Sequence, residues 1–141
     1  MRSTPDTSVL VDLQNGMPWA RGELERAMRL SGGLYLTAPV FAEFLTGLER
    51  ASPRPPPEDV EELLRAANVV PFDEAAARIY AREVARLIEE GKRPPIADAQ
   101  IAACALAGGF EVVTGDKRDF TRFAGLVVRI VGPKGGPAGH A

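Results

Sequence analysis

Short runs of Val, Leu, Ile and aromatic residues alternate with longer amphipathic stretches along most of the chain. Strands that alternate with helices generally form a parallel sheet, so this pattern predicts a mostly parallel sheet with helices on both faces. Phe110–Thr114 is the clearest strand, since it is mostly apolar or β-branched and is followed by Gly115. The other predicted strands are Ser8–Val11, Gly33–Leu36, Asn68–Phe72 and Leu126–Val131.

Capping and terminating residues define the predicted helices. Asp73 is the predicted N-cap of a long helix that ends at Gly91. A helix that begins at Pro95 ends at the Gly108–Gly109 pair. The remaining predicted helices are Arg21–Leu30, Thr37–Arg50 with Thr37 as its cap, and Glu58–Ala67, and a short turn covers Lys117–Phe123.

Length and composition indicate one globular domain. The chain has 141 residues, of which 45% are hydrophobic and 26% are charged, and no apolar run is long enough to cross a membrane. The single cysteine, Cys104, excludes an internal disulfide, so a cytoplasmic location is expected. A formal net charge of −2 excludes nucleic-acid binding through bulk charge. We expect a domain over residues 1–131 and a flexible Gly/Pro-rich tail over residues 132–141.

Two carboxylates occupy sequence positions that are typical of ligand-binding sites in α/β proteins. Asp98 shares a predicted helix face with Ile101 and Ala102, and a carboxylate on an apolar face is costly unless something pairs with it. It either caps the helix N-terminus or points into a polar site. Asp116 follows the strand Phe110–Thr114, beyond the end where ligands gather, although turns also favour Asp.

Two further carboxylates are weaker candidates when each is taken alone. Asp6 precedes the first predicted strand, and Glu43 lies on the flank of the apolar stripe of the helix Thr37–Arg50. An Asp near a terminus is usually solvated or a cap, and most helix glutamates are exposed. Four carboxylates brought together would repel one another, and a divalent cation would relieve that repulsion. Ligands that are all oxygen suit Mg²⁺ or Mn²⁺.

Other kinds of catalytic site lack the residues that they need. One Cys and one His exclude a zinc site of Cys/His type and argue against Ser–His and Cys–His triads. Gly32-Gly33 and Gly135-Gly136 match neither the dinucleotide-binding nor the P-loop spacing. A phosphatase of haloacid dehalogenase type would need an Asp where this chain has Ser8, and Lys117 fits a phosphoacceptor regulator only loosely.

Four segments resemble, in order and spacing, the acidic motifs of PIN-domain ribonucleases. The first two are Asp6–Leu13 (DTSVLVDL) and Thr37–Phe44 (TAPVFAEF). The others are Ile96–Ala103 (IADAQIAA) and Val113–Phe120 (VTGDKRDF). The resemblance extends to about Ile130 and points to the VapC-like toxins of bacterial toxin–antitoxin pairs.

This resemblance implies a PIN-like three-layer α/β/α sandwich with a mostly parallel central sheet of four to five strands. It also implies a Mg²⁺- or Mn²⁺-dependent endoribonuclease in which metal-activated water attacks an RNA phosphodiester. Asp6 and Asp98 would be the principal metal ligands, and Asp116 would complete the metal site directly or through water. Glu43 would ligate a second ion or orient the attacking water. The family further implies a homodimer and a cognate antitoxin that blocks the acidic cleft.

The resemblance also assigns supporting roles. Thr7, Ser8 and Thr114 would donate hydroxyl hydrogen bonds to the ligands, and Asp119 would be structural or secondary. The chain departs from the family before Asp6, because Arg2-Ser3-Thr4-Pro5 stands where an apolar strand is usual. Proline donates no backbone hydrogen bond, so the first strand is expected to be short or to start elsewhere.

RNA binding would require a local basic patch. The basic residues near the acidic segments are either phosphate-binding or ordinarily solvated: Lys92, Arg93, Lys117, Arg118, Arg122 and Arg129. The alternative function is a catalytically weak PIN-like module that binds RNA or protein, which the complete set of acidic positions disfavours. A third class is a phosphate enzyme on an α/β sheet, which release of phosphate from simple monoesters would favour.

Overall fold

Parallel strands form the centre of the protein, whose structure is a computed structural model that describes residues 1–51 and 58–132. The strands are β1 (Arg2–Pro5), β2 (Tyr35–Thr37), β3 (Asn68–Val70), β4 (Phe110–Thr114) and β5 (Val128–Ile130). β4 lies between β1 and β5, and β2 pairs with β3, in each case in parallel. The Thr4 hydroxyl donates to the Tyr35 carbonyl at 2.7 Å, which places β2 beside the other edge of β1. The strands therefore form two hydrogen-bonded sheets, β1-β4-β5 and β2-β3, with β2 next to β1.

Helices cover the sheet in the described part of the chain. They are α1 (Thr7–Gln14), α2 (Pro18–Ser31), α3 (Ala38–Ala51), α4 (Glu58–Ala66), α5 (Glu74–Glu89), α6 (Ile96–Gly108) and α7 (Lys117–Phe120). α2 contacts β1, α6 contacts β4, and α5 packs on α6. Every residue of β4 is buried, which requires cover on both faces of the sheet. The predicted α/β sandwich with a parallel sheet is confirmed. None of the helices in residues 1–51 and 58–132 is both long and apolar enough to span a membrane.

The N-terminal segment differs from the prediction. The predicted strand Ser8–Val11 is wrong, because these residues belong to α1 and the strand precedes Asp6 instead. Val9 and Leu13, which are four residues apart, are both buried, as expected for one face of a helix. Helical spacing of the buried residues therefore outweighs the β propensity of a short Val-Leu-Val run.

Pro5 ends β1 without disrupting the ladder to β4. The Asp6 amide donates to the Val113 carbonyl at 2.8 Å, and amides of alternate strand residues point to the same side. The amide of Ser3 points to the other side and donates to Ser31 Oγ at 2.8 Å. The backbone nitrogen of Pro5 points to the same side as that of Ser3, away from β4. The amide hydrogen that proline lacks would therefore not have bonded to β4. The first strand is short, as expected, but complete.

Several helix ends coincide with the predicted signals. Asp73 Oδ1 accepts a hydrogen bond from the Ala76 amide at 3.0 Å at the start of α5. Gly91 follows α5 with φ +75°, and Gly109 ends α6 with φ +73°. α3 begins directly after Thr37, as predicted, but Thr37 does not cap it through its side chain, because the buried hydroxyl has no hydrogen-bond partner among the described residues.

The predicted tail over residues 132–141 falls almost entirely outside the described residues and stays a prediction. Gly132, its first residue, is buried beside the indole ring of Trp19. The predicted domain limit at residue 131 is thus close to a residue that still packs on the fold.

Candidate active site

The carboxyl ends of β1 and β4 lie side by side, and an acidic residue follows each strand. Asp6 follows β1 directly and is the N-cap residue of α1. Asp116 follows β4 after Gly115 and is the N-cap of α7, where it accepts a hydrogen bond from the Arg118 amide at 2.9 Å. Because the strands are parallel, both carboxylates lie at the edge of the sheet where ligands usually bind.

Asp6 is nearly buried, and hydroxyl groups hold one of its oxygens. Its Oδ2 accepts hydrogen bonds from Thr114 Oγ1 at 2.7 Å and from Ser8 Oγ at 3.2 Å. Burial raises the pKa of Asp6 above its ordinary value, although these hydrogen bonds oppose the rise. The negative charge of Glu43 raises this pKa further. Neutral donors therefore position Asp6 without compensating its charge.

Glu43 reaches the same edge of the sheet from α3. The hydroxyl of Thr7 donates to Glu43 Oε1 at 2.9 Å, which connects α3 with the first residue of α1. Glu43 is exposed, yet its charge contributes to the raised pKa of both Asp6 and Asp98. Its carboxylate therefore acts electrostatically on the cluster as well as facing solvent.

Asp98 lies in the first turn of α6 and is the most strongly perturbed member of the cluster. Partial burial and the charge of Asp119 are the two largest causes that raise its pKa to about 6. Asp6 and Glu43 raise it further, whereas Arg122 lowers it. Asp98 is thus influenced by three other acidic groups and by only one cation, so negative charge predominates around it.

The single apolar face predicted for α6 is wrong, because Ile101–Ala105 are all buried. A helix that is covered on most sides gives no information about where one residue points. Periodicity therefore could not choose between the two interpretations of Asp98. Its electrostatic coupling to Asp119 and Asp6 favours the polar site, and the N-cap position of α6 belongs to Pro95.

α7 adds Asp119 to the cluster. This residue lies three positions after Asp116, the N-cap of the same short helix. Burial raises the pKa of Asp119, and the charges of Asp116 and Asp6 raise it further. We predicted a structural or secondary role, but its charge perturbs Asp98 more than any other charge does. The helical spacing of three residues from Asp116 was the signal available in the sequence.

The carboxylates influence one another electrostatically without converging on a single point. Within residues 1–51 and 58–132, no three Asp, Glu, His or Cys side chains lie close enough to enclose a metal ion. Some of the carboxylates instead accept hydrogen bonds from neighbouring groups, as Asp116 does at the start of α7 and Glu43 does from Thr7. The donors are all oxygen, which is the ligand chemistry of hard divalent cations. A cation would draw together groups that otherwise repel one another.

Sequence comparison identifies the family. The model of the PIN domain family matches residues 4–126, a range that includes the end of β1, all of β4 and all of these carboxylates. The chain belongs to the PIN-domain family. The predicted membership is therefore confirmed over most of the chain. A comparison with the curated protein sequences finds no match.

Solved structures share the fold of this PIN-domain chain. A chain of VapBC2 from Rickettsia felis, bound to a promoter DNA fragment, matches with a TM-score of 0.77 and 20% identity, covering 92% of this chain and 98% of that chain. DNA-bound VapBC from Salmonella typhimurium matches with a TM-score of 0.76 and 21% identity, over the same shares. VapBC-5 from Mycobacterium tuberculosis, a member of a toxin–antitoxin family, is 28% identical with a TM-score of 0.62, covering 92% and 97%. These matches agree with the resemblance to VapC-like toxins.

Proposed function

We propose that this PIN-domain protein is a metal-dependent endoribonuclease that hydrolyses RNA phosphodiester bonds as the toxin of a toxin–antitoxin pair. The observation that carries the proposal is the raised pKa of Asp98, about 6, in a cluster with Asp6, Asp119 and Glu43 at one edge of the sheet. Uncompensated carboxylates at a ligand-binding edge are typical of a site built for a cation. Family membership and the likeness to VapBC complexes support the same activity.

We assign Asp6, Asp98 and Asp116 as the ligands of Mg²⁺ or Mn²⁺. All of their donor atoms are oxygen, and the raised pKa values of Asp6 and Asp98 reflect burial together with neighbouring negative charge. When bound, the ion would lower the pKa of a water molecule and offset charge on the phosphate.

The remaining residues of the site would orient groups for attack on the phosphodiester. Glu43, held through one oxygen by Thr7, would orient the attacking water with the other. Thr114 would fix Asp6, and its hydroxyl also accepts a hydrogen bond from the Asp116 amide at 3.1 Å. One threonine therefore connects two of the assigned ligands, so loss of its hydroxyl would disturb both.

We propose that basic side chains around this cluster bind the phosphates of the RNA backbone. Lys92 and Arg93 are exposed just before α6, and Arg118 is exposed on α7. Arg129 is a poor candidate, because its Nε donates to Glu23 Oε1 at 3.1 Å in a partly buried ion pair. The side chain of Lys117 lies outside the described residues.

We also propose a cognate antitoxin, a homodimer and a cytoplasmic location. The VapBC structures that this fold resembles are toxin–antitoxin complexes. An antitoxin segment needs apolar surface, and a groove of about 180 Å³ beside α2 offers it. Its lining is Leu13, Arg21, Leu24, Glu25, Met28 and Leu63.

The decisive experiment is cleavage of a mixed cellular RNA pool by protein purified free of antitoxin. It compares Mg²⁺, Mn²⁺ and excess chelator, and the wild type with Asp98→Asn. We expect metal-dependent cleavage that Asp98→Asn lowers by about a thousandfold, as loss of transition-state charge stabilisation does elsewhere. Asp12→Asn is the matched control, since it makes the same change on α1 away from the cluster.

Each contrary outcome identifies a different function. Cleavage that survives both chelator and Asp98→Asn would contradict the assigned site. No cleavage by folded, antitoxin-free protein would favour the binding module. Phosphate release from simple monoesters without RNA cleavage would favour a phosphatase.

A further inference from the structure

Glu83 is a buried carboxylate on α5 that the acidic cluster does not include. Its Oε1 accepts hydrogen bonds from Arg86 Nη2 at 2.8 Å and from the Ala124 amide at 2.7 Å. Arg86 Nη2 also donates to the Arg122 carbonyl at 3.0 Å. The pair Glu83–Arg86, called here the α5 lock, therefore binds the backbone on both sides of Phe123, in the segment that leaves α7.

The α5 lock is the tighter attachment of that segment. Within the segment, the amide of Phe123 donates to Phe120 and that of Leu126 donates to Phe123, both at 3.3 Å. The bonds from the α5 lock are shorter and involve ionised groups, which form stronger hydrogen bonds than neutral ones. The position of Arg122 relative to α5 therefore depends on Glu83 and Arg86.

The Arg122 side chain is held in turn by α7. Its Nε donates to the Asp119 carbonyl and its Nη2 to the Arg118 carbonyl, both at 3.3 Å. Among the described residues, no carboxylate forms a salt bridge with Arg122, whereas Arg129 and Arg26 are each paired with a glutamate. Its charge nevertheless acts on Asp98 and Asp119. A fixed cation beside the cluster, not neutralised by direct contact, is suited to a phosphate.

We propose that Arg122 binds a backbone phosphate of RNA next to the acidic cluster, and that the α5 lock is the device that positions it. The proposal rests on the proposed ribonuclease function. Arg122 would touch the substrate, whereas Glu83 and Arg86 act only through Arg122. A positive group here would draw the phosphate towards carboxylates that would otherwise repel it.

The first test measures how salt weakens RNA binding. Fluorescein-labelled single-stranded RNA of random sequence is titrated with Asp98→Asn protein, which should not cleave it, over a series of NaCl concentrations in Mg²⁺. Adding Arg122→Gln should raise Kd several-fold and lower the slope of log Kd against log salt by about 0.7, the loss of one single-strand phosphate contact. Arg78→Gln is the control, since Arg78 is an exposed arginine of α5 paired with Glu74.

The second test asks whether Glu83 acts through Arg122. Glu83→Gln should weaken RNA binding in the same way, while Glu74→Gln, which breaks an exposed ion pair of the same helix, should not. The double variant Glu83→Gln/Arg122→Gln should bind RNA no more weakly than Arg122→Gln alone, because a positioning residue has nothing left to position. Arg86→Lys replaces Glu83→Gln if circular dichroism shows that the latter is unfolded.

The outcomes separate this inference from the function on which it rests. An unchanged salt slope for Arg122→Gln, with cleavage by the wild type still metal-dependent, overturns the role of Arg122 alone. Additive losses in the double variant overturn the positioning role of Glu83. Cleavage that is as fast in chelator and in Asp98→Asn as in the wild type with metal overturns the proposed function itself, whatever Arg122 does.

Discussion

Two nearly buried carboxylates in this protein have pKa values that are shifted in opposite directions, although burial acts in the same direction on both. Asp6 is 9% exposed and Glu83 is 5% exposed, and burial is the largest influence on the pKa of each. The pKa of Asp6 is raised. The pKa of Glu83 is lowered, because hydrogen bonds from Arg86 and Ala124 outweigh the effect of burial. Asp6 has hydroxyl donors and negative neighbours instead of an arginine.

This difference separates Asp6, the proposed metal ligand, from Glu83, whose charge is paired within the fold. Glu83 has its compensating charge within the chain, so it contributes to the folded state and needs nothing from outside. Asp6 lacks that compensation, so the folded chain holds an unfavourable charge that a cation can relieve. Replacement of Asp6 should therefore reduce activity more than stability, and replacement of Glu83 should reduce stability more than activity.

The largest expected effect is on cleavage by Asp6→Asn. Asparagine keeps the shape and the N-cap preference of the residue but removes a ligand charge, so we expect RNA cleavage to fall by about a thousandfold. The free energy of unfolding in chelator should stay the same or rise by about 1 kcal/mol, because a buried uncompensated charge is lost. Cleavage rates and urea unfolding measure the two effects. A large loss of stability would mean that Asp6 is structural.

The next largest effect is on stability, for Glu83→Ala. Removal of one partner of a buried ion pair leaves the Ala124 amide without its acceptor and takes one of three acceptors from Arg86. We expect the free energy of unfolding to fall by about 2 to 3 kcal/mol, near the lower end for buried pairs because Arg86 is partly exposed. Glu74→Ala on the same helix should cost about 0.5 kcal/mol or less. Equal costs in urea unfolding would contradict the comparison.

The smallest effect is the pH dependence of stability without metal. The folded-state pKa of Asp98 is about 6, above its ordinary value, so the folded chain binds more protons than the unfolded chain between about pH 4 and pH 6. This contribution to stability is present at the low end of that range and is lost as pH rises through about 6. We expect a loss on the order of 1 kcal/mol after solvent screening.

Glu83 should have the opposite dependence, because its pKa is lowered. Its contribution is present above the unfolded pKa and is lost as pH falls through the folded value. Urea unfolding in chelator at several pH values measures both trends. Asp98→Asn should flatten the decline towards neutral pH, and Asp12→Asn should leave it unchanged. If the decline in stability persists in Asp98→Asn, it arises from other groups with raised pKa values, such as Asp6 and Asp119.

Much of the fold was predictable from local signals. Phe110–Thr114 is a strand with the predicted bounds, and α5 begins after the predicted cap Asp73. α1 was missed, because a Val-Leu-Val run is compatible with a strand or a helix until its burial is known. The hydroxyl of Thr37, predicted to cap α3, is buried at the end of β2 instead.

The candidate site was predictable in part for the same reason. Asp116 could be assigned to the carboxyl-terminal edge of the sheet, because it follows the predicted strand Phe110–Thr114. Asp6 could not be assigned in this way, because the strand predicted beside it was placed after Asp6, whereas β1 lies before it. Only the resemblance to PIN-domain ribonucleases grouped Asp6 with Asp116. The closeness of Asp119 to Asp98 could not be predicted, since the two residues lie on different helices.

Residue type, order and local spacing were sufficient to predict the fold class and the four acidic segments. Which buried carboxylate has a compensating charge could be learned only from the folded arrangement. A pKa depends on the groups within a few ångströms, and those groups come from distant parts of the chain. Thr114 reaches Asp6 across 108 positions, and Ala124 reaches Glu83 across 41. That three-dimensional pairing separates the metal-binding role proposed for Asp6 from the structural role of Glu83.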